Sequence, residues 1–173
     1  MRKGPARPLS LTSTDGMPLV LDTNTVLALW LFEDPALAPL RAWIASGQPQ
    51  LLSRDDALEE LRRVLAYRQF ACSPARQADL AAHYTRQIRQ VAATPPDTAL
   101  PRCRDADDQK FLEIAYHGGA RWLLTRDKAL LRVGRHRRLR DHFTVLTPER
   151  WQGEVLPALT ATATSAVRGE AQT

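Results

Sequence analysis

Short apolar runs alternate with longer amphipathic segments along this chain, and this alternation limits the possible folds more than any other feature. The run 18–21 stops at Asp22, as a buried parallel strand would. Further strands are predicted at 50–52, 121–125 and 143–146. Helices are predicted at 25–32, 35–46, 54–67, 74–91, 106–117 and from residue 128. Strands that alternate with helices imply right-handed crossovers, so the predicted class is α/β, with a parallel sheet covered on both sides.

Helix caps and chain ends give the predicted borders. Thr23 or Asn24 is expected to cap the first helix and Ser53 the third, because short polar side chains accept hydrogen bonds from free backbone N–H groups. Residues 1–16 are rich in Pro, Ser, Thr and Gly and are predicted to form a disordered tail. Residues 17–152 then form a single domain, and residues 153–173 form a flexible C-terminal tail, in which a short helix can start near residue 157.

The composition is typical of a globular protein in a reducing compartment. Of 173 residues, 44% are hydrophobic and 25% are charged. No apolar run is long enough to cross a bilayer or to form a secretory signal. Cys72 and Cys103 lack the spacing of a zinc site or a disulfide framework, so a cytoplasmic location is predicted. The net charge of +5 suits a polyanionic partner without requiring one.

Two acidic residues follow predicted strands. Asp22 comes directly after the first strand, and Asp127 lies two residues beyond Thr125 at the end of the third. Sites in open α/β sheets form outside the carboxyl ends of strands, so both positions are candidates for chemistry. An Asp after a strand is also a common helix cap, and that interpretation stays open for each of them.

Helical spacing adds two more candidate acids. With Leu61 at the centre of the apolar stripe, Glu60 lies about 100° away at its edge and Glu59 about 160° away, towards water. Asp108 shares a helical face with the apolar residue Phe111, and a carboxylate there needs a partner. An acid placed at a helix N-terminus by the helix dipole explains Asp108 equally well.

Four converging carboxylates require a cation. Hard divalent ions prefer oxygen ligands, so Mg²⁺ or Mn²⁺ is the predicted cofactor. Such an ion activates water at a phosphodiester without a histidine or a covalent nucleophile. The sequence contains no phosphate loop, GxGxxG, GxSxG or HExxH motif. The histidines lack ligand-like spacing and are interpreted as ordinary surface or core residues: His83, His117, His136 and His142.

The excess positive charge is concentrated late in the chain. The segment 132–140, called the basic segment below, contains Arg132, Arg135, Arg137, Arg138 and Arg140. Guanidinium groups at this density could clamp the phosphates of RNA, and Arg126 is a further candidate beside Asp127. A solvated, charged loop without a ligand is an equally good interpretation.

Several stretches of the sequence resemble signature motifs of the PIN-domain family. They are LDTN at 21–24, ELRRVL at 60–65, DADDQKFLEIA at 105–115, LTRD at 124–127 and FTVLTPE at 143–149. The resemblance runs in consistent order from about residue 18 to residue 151. Within the family, the likeness is to a subgroup of toxins of bacterial toxin–antitoxin pairs, related to VapC-type endoribonucleases. Ala106 and Gln109 depart from the subgroup, which has Pro and Asn there.

The resemblance implies a three-layer α/β/α fold and a metal-dependent RNA endonuclease. The leading hypothesis is hydrolysis of a phosphodiester in single-stranded or looped RNA, which leaves 5′-phosphate and 3′-hydroxyl ends. The four acidic metal positions would be Asp22, Glu60, Asp108 and Asp127. Supporting roles fall to Asn24 and Thr125, which would orient carboxylates or water, and to Asp105 as an outer acid. The implied partners are RNA, a second copy of the chain in a homodimer, and an antitoxin protein whose Arg would enter the acidic cleft.

Two alternatives remain at this point. A phosphatase with Asp22 as nucleophile would need a second Asp two residues later, where this chain has Asn24. A non-catalytic module that binds RNA or a protein partner would not need four acids in one place. Magnesium-dependent cleavage, compared with simple RNA binding, separates a nuclease from such a module.

Overall fold

The computed structural model of the chain describes residues 16–95 and 99–161. Most of the two predicted tails, residues 1–15 and 162–173, lies outside the described residues. The strands are β1 Met17–Leu21, β2 Pro49–Ser53, β3 Ile88–Gln90, β4 Trp122–Leu124 and β5 Thr144–Leu146. The α-helices are α1 Thr23–Trp30, α2 Ala38–Ala45, α3 Asp55–Leu65, α4 Pro74–Gln87, α5 Gln109–Gly118, α6 Lys128–Val133 and α7 Pro148–Glu154. Short 3₁₀ turns occupy Pro35–Leu37 and Arg68–Phe70.

The five strands form one sheet in the order β3-β2-β1-β4-β5, and every pairing is parallel. β1 is the central strand, and its neighbour β4 is paired so that Leu21 lies opposite Leu124. The next residues along these strands, Asp22 and Thr125, therefore leave the sheet side by side at its carboxyl edge. The candidate site therefore lies at this edge of the sheet, beside Asp22 and Thr125.

Helices cover both faces of the sheet. Leu19 and Leu21 point to one face and belong to a core shared with α1, α2, α3, α4 and α7. Val20, between them, points to the opposite face and packs with residues of α5 and α6. Alternating burial on both faces is what a parallel sheet between two helical layers requires. The predicted three-layer α/β/α architecture is confirmed. Among the described residues, no helix combines the length and apolar character needed to span a bilayer.

The edge strand β3 was absent from the prediction. The sequence pattern predicts that the fourth helix continues to about residue 91, but α4 ends at Gln87. Residues Ile88–Gln90 then pair with Leu51–Ser53 of β2. Pairing with an existing strand supplies hydrogen bonds that local propensity does not reveal, so tertiary context overrides the helical pattern.

Two predicted helix caps are wrong. Asp22, not Thr23 or Asn24, occupies the N-cap of α1 and accepts a hydrogen bond from the Thr25 backbone N–H. Arg54 precedes α3 in the N-cap position, where Ser53 is predicted, and makes no side-chain cap. α1 begins two residues before its predicted start and α3 one residue after it, which is the usual uncertainty of helix ends.

The predicted helix start at Ala106 is also wrong, because α5 begins at Gln109. Residues 105–108 form turns, in which the Asp105 carboxylate accepts from the Asp107 backbone N–H at 2.9 Å. Such side-chain bonds to nearby backbone compete with helix formation. Asp108 consequently lies at the N-cap position of α5 and not on its apolar face.

Helical structure continues beyond the predicted domain border at residue 152. α7 ends at Glu154, and residues 156–161 are also helical. Val155, Leu156 and Leu159 pack against the core that contains the fully buried Trp151. These apolar contacts explain why this part of the predicted flexible tail is ordered against the domain.

Candidate active site

Asp22, Thr125 and Asp127 form the centre of the candidate site. The Thr125 hydroxyl donates to Asp22 Oδ2 and accepts from the Asp127 backbone N–H at 2.9 Å. The other oxygen of Asp22, Oδ1, accepts from the Thr25 N–H at 2.7 Å. Asp127 Oδ1 accepts from the Leu130 N–H at 2.8 Å and caps α6. Both acids are therefore helix caps, yet their positions on adjacent strands also bring them together.

Asp22 is a buried carboxylate, with 3% of its surface exposed. Burial raises its pKa above the ordinary value, against the opposing effect of its hydrogen bonds with Thr125 and Thr25. The negative charge of Asp127 raises the pKa of Asp22 further. Within residues 16–95 and 99–161, no Lys or Arg forms an ion pair with Asp22, Asp108 or Asp127. These three carboxylates lack a counter-ion from that part of the chain.

Glu60 lies at the edge of the apolar stripe of α3, as the helical spacing predicts, while Glu59 is exposed. Glu60 Oε1 accepts a 2.6 Å hydrogen bond from the Thr23 hydroxyl. Its second oxygen, Oε2, forms an ion pair with Lys110 of α5, and both side chains are largely buried. Glu60 is thus held by α1 and α5 together, and it differs from the other three acids in having a cationic partner.

The negative charges of neighbouring acids affect the pKa of Asp108. Partial burial raises its pKa to about 6, and the charges of Asp127, Asp105 and Glu60 contribute in the same direction. The ammonium group of Lys110 opposes this increase. Among the four predicted acids, the charge of Asp127 thus acts on both Asp22 and Asp108, and the charge of Glu60 acts on Asp108. Asp105 itself is exposed and lies beside this group.

The remaining predicted site residues lie away from the acids or have other contacts. Asn24 is exposed in the first turn of α1. Arg126 forms ion pairs with Asp34 and Glu149, so its guanidinium joins two loops to α7. The other predicted RNA-binding residues are all exposed: Arg132, Arg135, Arg137 and Arg138. Arg138 also lines a cavity beside Glu60.

Sequence reasoning missed three residues of the site region. Thr23 binds Glu60, Lys110 pairs with Glu60, and Arg54 joins Asp56 of α3 to Glu113 of α5. The only available signal was that Thr23 and Lys110 lie within the quoted motifs. Their contacts depend on how α1, α3 and α5 pack, which no local pattern encodes.

The donor set fits a hard divalent cation. Asp22, Asp108 and Asp127 supply carboxylate oxygens, and the burial of Asp22 without a cationic partner is the observation that favours a bound positive charge. Among the described residues, no group of three or more His, Cys, Asp or Glu side chains already has metal-site geometry. Mg²⁺ typically binds one or two carboxylates and keeps several waters, so it does not require a preformed protein cage.

Fold and site together define a class: an α/β protein whose carboxylates gather at the carboxyl edge of a parallel sheet. Comparison with known families identifies it further, because the family model described as the PIN domain matches residues 18–129. The chain belongs to the PIN-domain family. The PIN domain is a nuclease fold, and the family generally uses divalent metal ions. A search of curated proteins found no match to this chain.

We expect Thr125→Val to destabilise the metal-free protein by about 2–4 kcal/mol. The Thr125 hydroxyl is fully buried, and its loss leaves Asp22 Oδ2 and the Asp127 N–H without a partner, at about 1–3 kcal/mol each. Urea unfolding measures the change. Thr144→Val, at an exposed position of β5, is the matched control and should change stability by less than about 0.5 kcal/mol. Equal effects of the two substitutions would contradict the assigned role of the hydroxyl.

Proposed function

We propose that this protein is a divalent-metal-dependent endoribonuclease. The observation that carries the proposal is the burial of Asp22 without an ion pair among the described residues, near Asp127, whose charge raises the pKa of both Asp22 and Asp108. These carboxylates would hold Mg²⁺ or Mn²⁺, with Glu60 at the margin of the site. When bound, the ion supplies a water of lowered pKa and neutralises charge that develops on the scissile phosphate.

The chain's own residues would orient the ligands. The Thr125 hydroxyl and the Thr25 N–H hold the two oxygens of Asp22, and the Leu130 N–H holds Asp127. Thr23 and Lys110 hold Glu60 in the same way. Ligands fixed by such outer contacts keep their direction when a cation binds, and this raises affinity for the metal.

The proposed reaction is hydrolysis of an RNA phosphodiester. The oxygen of water bonds to phosphorus, the bond from phosphorus to the 3′ oxygen breaks, and that oxygen takes up a proton. The products then carry a 5′-phosphate and a 3′-hydroxyl. RNA as substrate is supported by the resemblance to VapC-type endoribonucleases and by the exposed arginines of the basic segment. The phosphatase alternative finds no support, because its required second acid is replaced by the exposed Asn24.

Cleavage of a labelled single-stranded RNA by the full chain tests the proposal. We expect cleavage with Mg²⁺ or Mn²⁺ and complete loss of cleavage with EDTA, because the uncompensated carboxylates repel the RNA phosphate when no cation is bound. Mapping the product ends identifies which phosphorus–oxygen bond breaks. RNA retention without cleavage under any metal condition would favour the non-catalytic module instead.

We further propose that the chain is the toxin of a toxin–antitoxin pair, acts in the cytoplasm and forms a homodimer. The sequence resemblance supports all three, and the free Cys72 and Cys103 fit a reducing compartment. Expression in bacteria should arrest growth, and Asp22→Asn should relieve the arrest. Light scattering tests the dimer. Growth arrest that persists with Asp22→Asn would separate the toxic effect from nuclease activity.

A further inference from the structure

A cavity of about 890 Å³ adjoins the candidate site on the side of Glu60 and Lys110. It lies between α3, α5, the loop before α5 and the basic segment, so four parts of the chain line it. Arg63 of α3, Arg102 of the loop and Arg138 of the basic segment reach it from separate directions. We call this space the arginine cavity. Its size is within the range of small-molecule and cofactor sites, about 300–1,000 Å³.

The charges that line the arginine cavity are not all available to a ligand. Arg54 is nearly buried and binds Asp56 and Glu113. Lys110 is paired with Glu60. Among the acids that line the cavity, Asp56, Glu60 and Glu113 belong to these internal ion pairs, whereas Glu59 and Asp107 do not.

Arg63, Arg102 and Arg138 are different. All three are exposed, and none belongs to an ion pair within the described part of the chain. Three guanidinium groups that line one cavity without ion-pair partners can bind phosphate oxygens through paired N–H donors. Their planar faces can also stack on a nucleobase. Leu100 and Pro101 add an apolar wall beside them.

We propose that the arginine cavity binds one unpaired nucleotide of the RNA, next to the phosphodiester that is cut. The inference rests on the proposed function for the position of the cut bond, since Glu60 and Lys110 border both the acids and the cavity. Phosphate oxygens meet Arg63, Arg102 and Arg138, and the base lies against Leu100 and Pro101. A base inside a duplex is stacked and paired, so the cavity selects single-stranded or looped RNA.

RNA binding without cleavage tests this proposal. The full chain carrying Asp22→Asn is the background, and fluorescence anisotropy with a short single-stranded RNA gives Kd over a range of salt concentrations. The test variant adds Arg63→Gln, Arg102→Gln and Arg138→Gln. The matched control adds Arg62→Gln, Arg68→Gln and Arg104→Gln, which remove the same charge from exposed positions that neither line the cavity nor belong to the basic segment.

We expect the cavity variant to bind at least about tenfold more weakly than the control variant. Its slope of log Kd against log salt should fall by about 0.7–2, because each lost phosphate contact on a single strand contributes about 0.7. Both variants should keep the melting temperature of the background protein, since all six arginines are exposed. For duplex RNA of the same sequence, the difference in Kd between the two variants should be much smaller.

Equal Kd values and equal salt slopes for the two variants would overturn the proposal and leave the cavity to another partner, such as an acidic protein segment. This result is distinguishable from failure of the proposed function. Absence of cleavage by the wild-type chain does not affect the comparison of binding, which uses a cleavage-deficient background. If the wild-type chain cleaves RNA in the presence of metal but both variants bind RNA equally, the proposed function stands and only the cavity proposal fails.

Discussion

Asp22→Asn should abolish metal-dependent RNA cleavage while leaving the fold intact. The substitution keeps the size of the side chain and an oxygen that can accept from the Thr25 N–H. It removes the negative charge of the one carboxylate that is buried to 3% exposure without an ion pair. If a metal ion contributes several kcal/mol to the transition state, the rate should fall by at least about 10³-fold. Initial rates with Mg²⁺ on the labelled RNA measure this loss.

The stability of Asp22→Asn distinguishes a lost ligand from a damaged fold. Burial raises the pKa of Asp22, so its charged form opposes folding of the metal-free protein at neutral pH. The neutral Asn removes that cost, which offsets the loss of Oδ2 as the acceptor for the Thr125 hydroxyl, so the melting temperature of the metal-free variant should change little. Asp79→Asn, at an exposed position of α4, is the matched control and should retain wild-type cleavage. Cleavage by Asp22→Asn at the wild-type rate would remove Asp22 from the site.

Adding Mn²⁺ should stabilise the wild-type protein strongly. A ligand that binds only the folded state at 100 times its Kd contributes about 2.7 kcal/mol. For a chain of this size, such a gain corresponds to a rise of about 5–10 °C in melting temperature. Asp22→Asn should lose most of this rise, because Asp22 and its neighbour Asp127 supply the central carboxylates. Thermal unfolding with and without Mn²⁺ gives the comparison, and Asp79→Asn should respond as wild type does.

The same stabilisation should depend on pH. The pKa of Asp108 is raised to about 6, so its carboxyl holds a proton below that pH and must release it before binding a cation. The rise in melting temperature with Mn²⁺ should therefore shrink as pH falls through about 6. In the metal-free protein the pH dependence is opposite, because the raised pKa of Asp108 makes stability decrease as pH rises. Stability from a raised carboxyl pKa is complete below the unfolded value of 3.8 and is lost as pH rises through about 6.

An identical Mn²⁺ effect in wild type and Asp22→Asn would contradict a metal site at the carboxyl edge. A rise in melting temperature that does not change between pH 5 and pH 8 would instead argue against Asp108 as a ligand, while leaving Asp22 and Asp127 in place. The two results thus test different carboxylates of the group.

Much of the fold is readable from local pattern. Apolar runs of strand length between amphipathic segments imply a parallel sheet with two helical layers, and the structure has this architecture. The edge strand β3, which the sequence pattern does not predict, shows the limit of this reasoning. Its three residues carry no distinct periodicity, and only pairing with β2 makes them a strand.

The candidate acids could also be found without coordinates, for two physical reasons. A residue that follows a parallel strand directly, as Asp22 does, or within three residues, as Asp127 does, emerges at the carboxyl edge. A residue about 100° from the centre of an apolar stripe must lie at the border of the core, which places Glu60. Asp108 was a candidate through helical spacing and through its motif; its predicted position on a helical face is wrong, and it lies at the helix N-terminus as the alternative interpretation had it.

The sequence by itself determined the α/β class and the family and predicted four candidate acids, because strand order and helical period act over a few residues. Only the tertiary structure decided which partners those acids have. The contact between Thr23 and Glu60 spans 37 positions, and the contact between Thr125 and Asp22 spans 103. The arginine cavity likewise exists only where α3, α5 and the basic segment meet. Such contacts depend on how whole elements pack, and a local pattern does not encode packing.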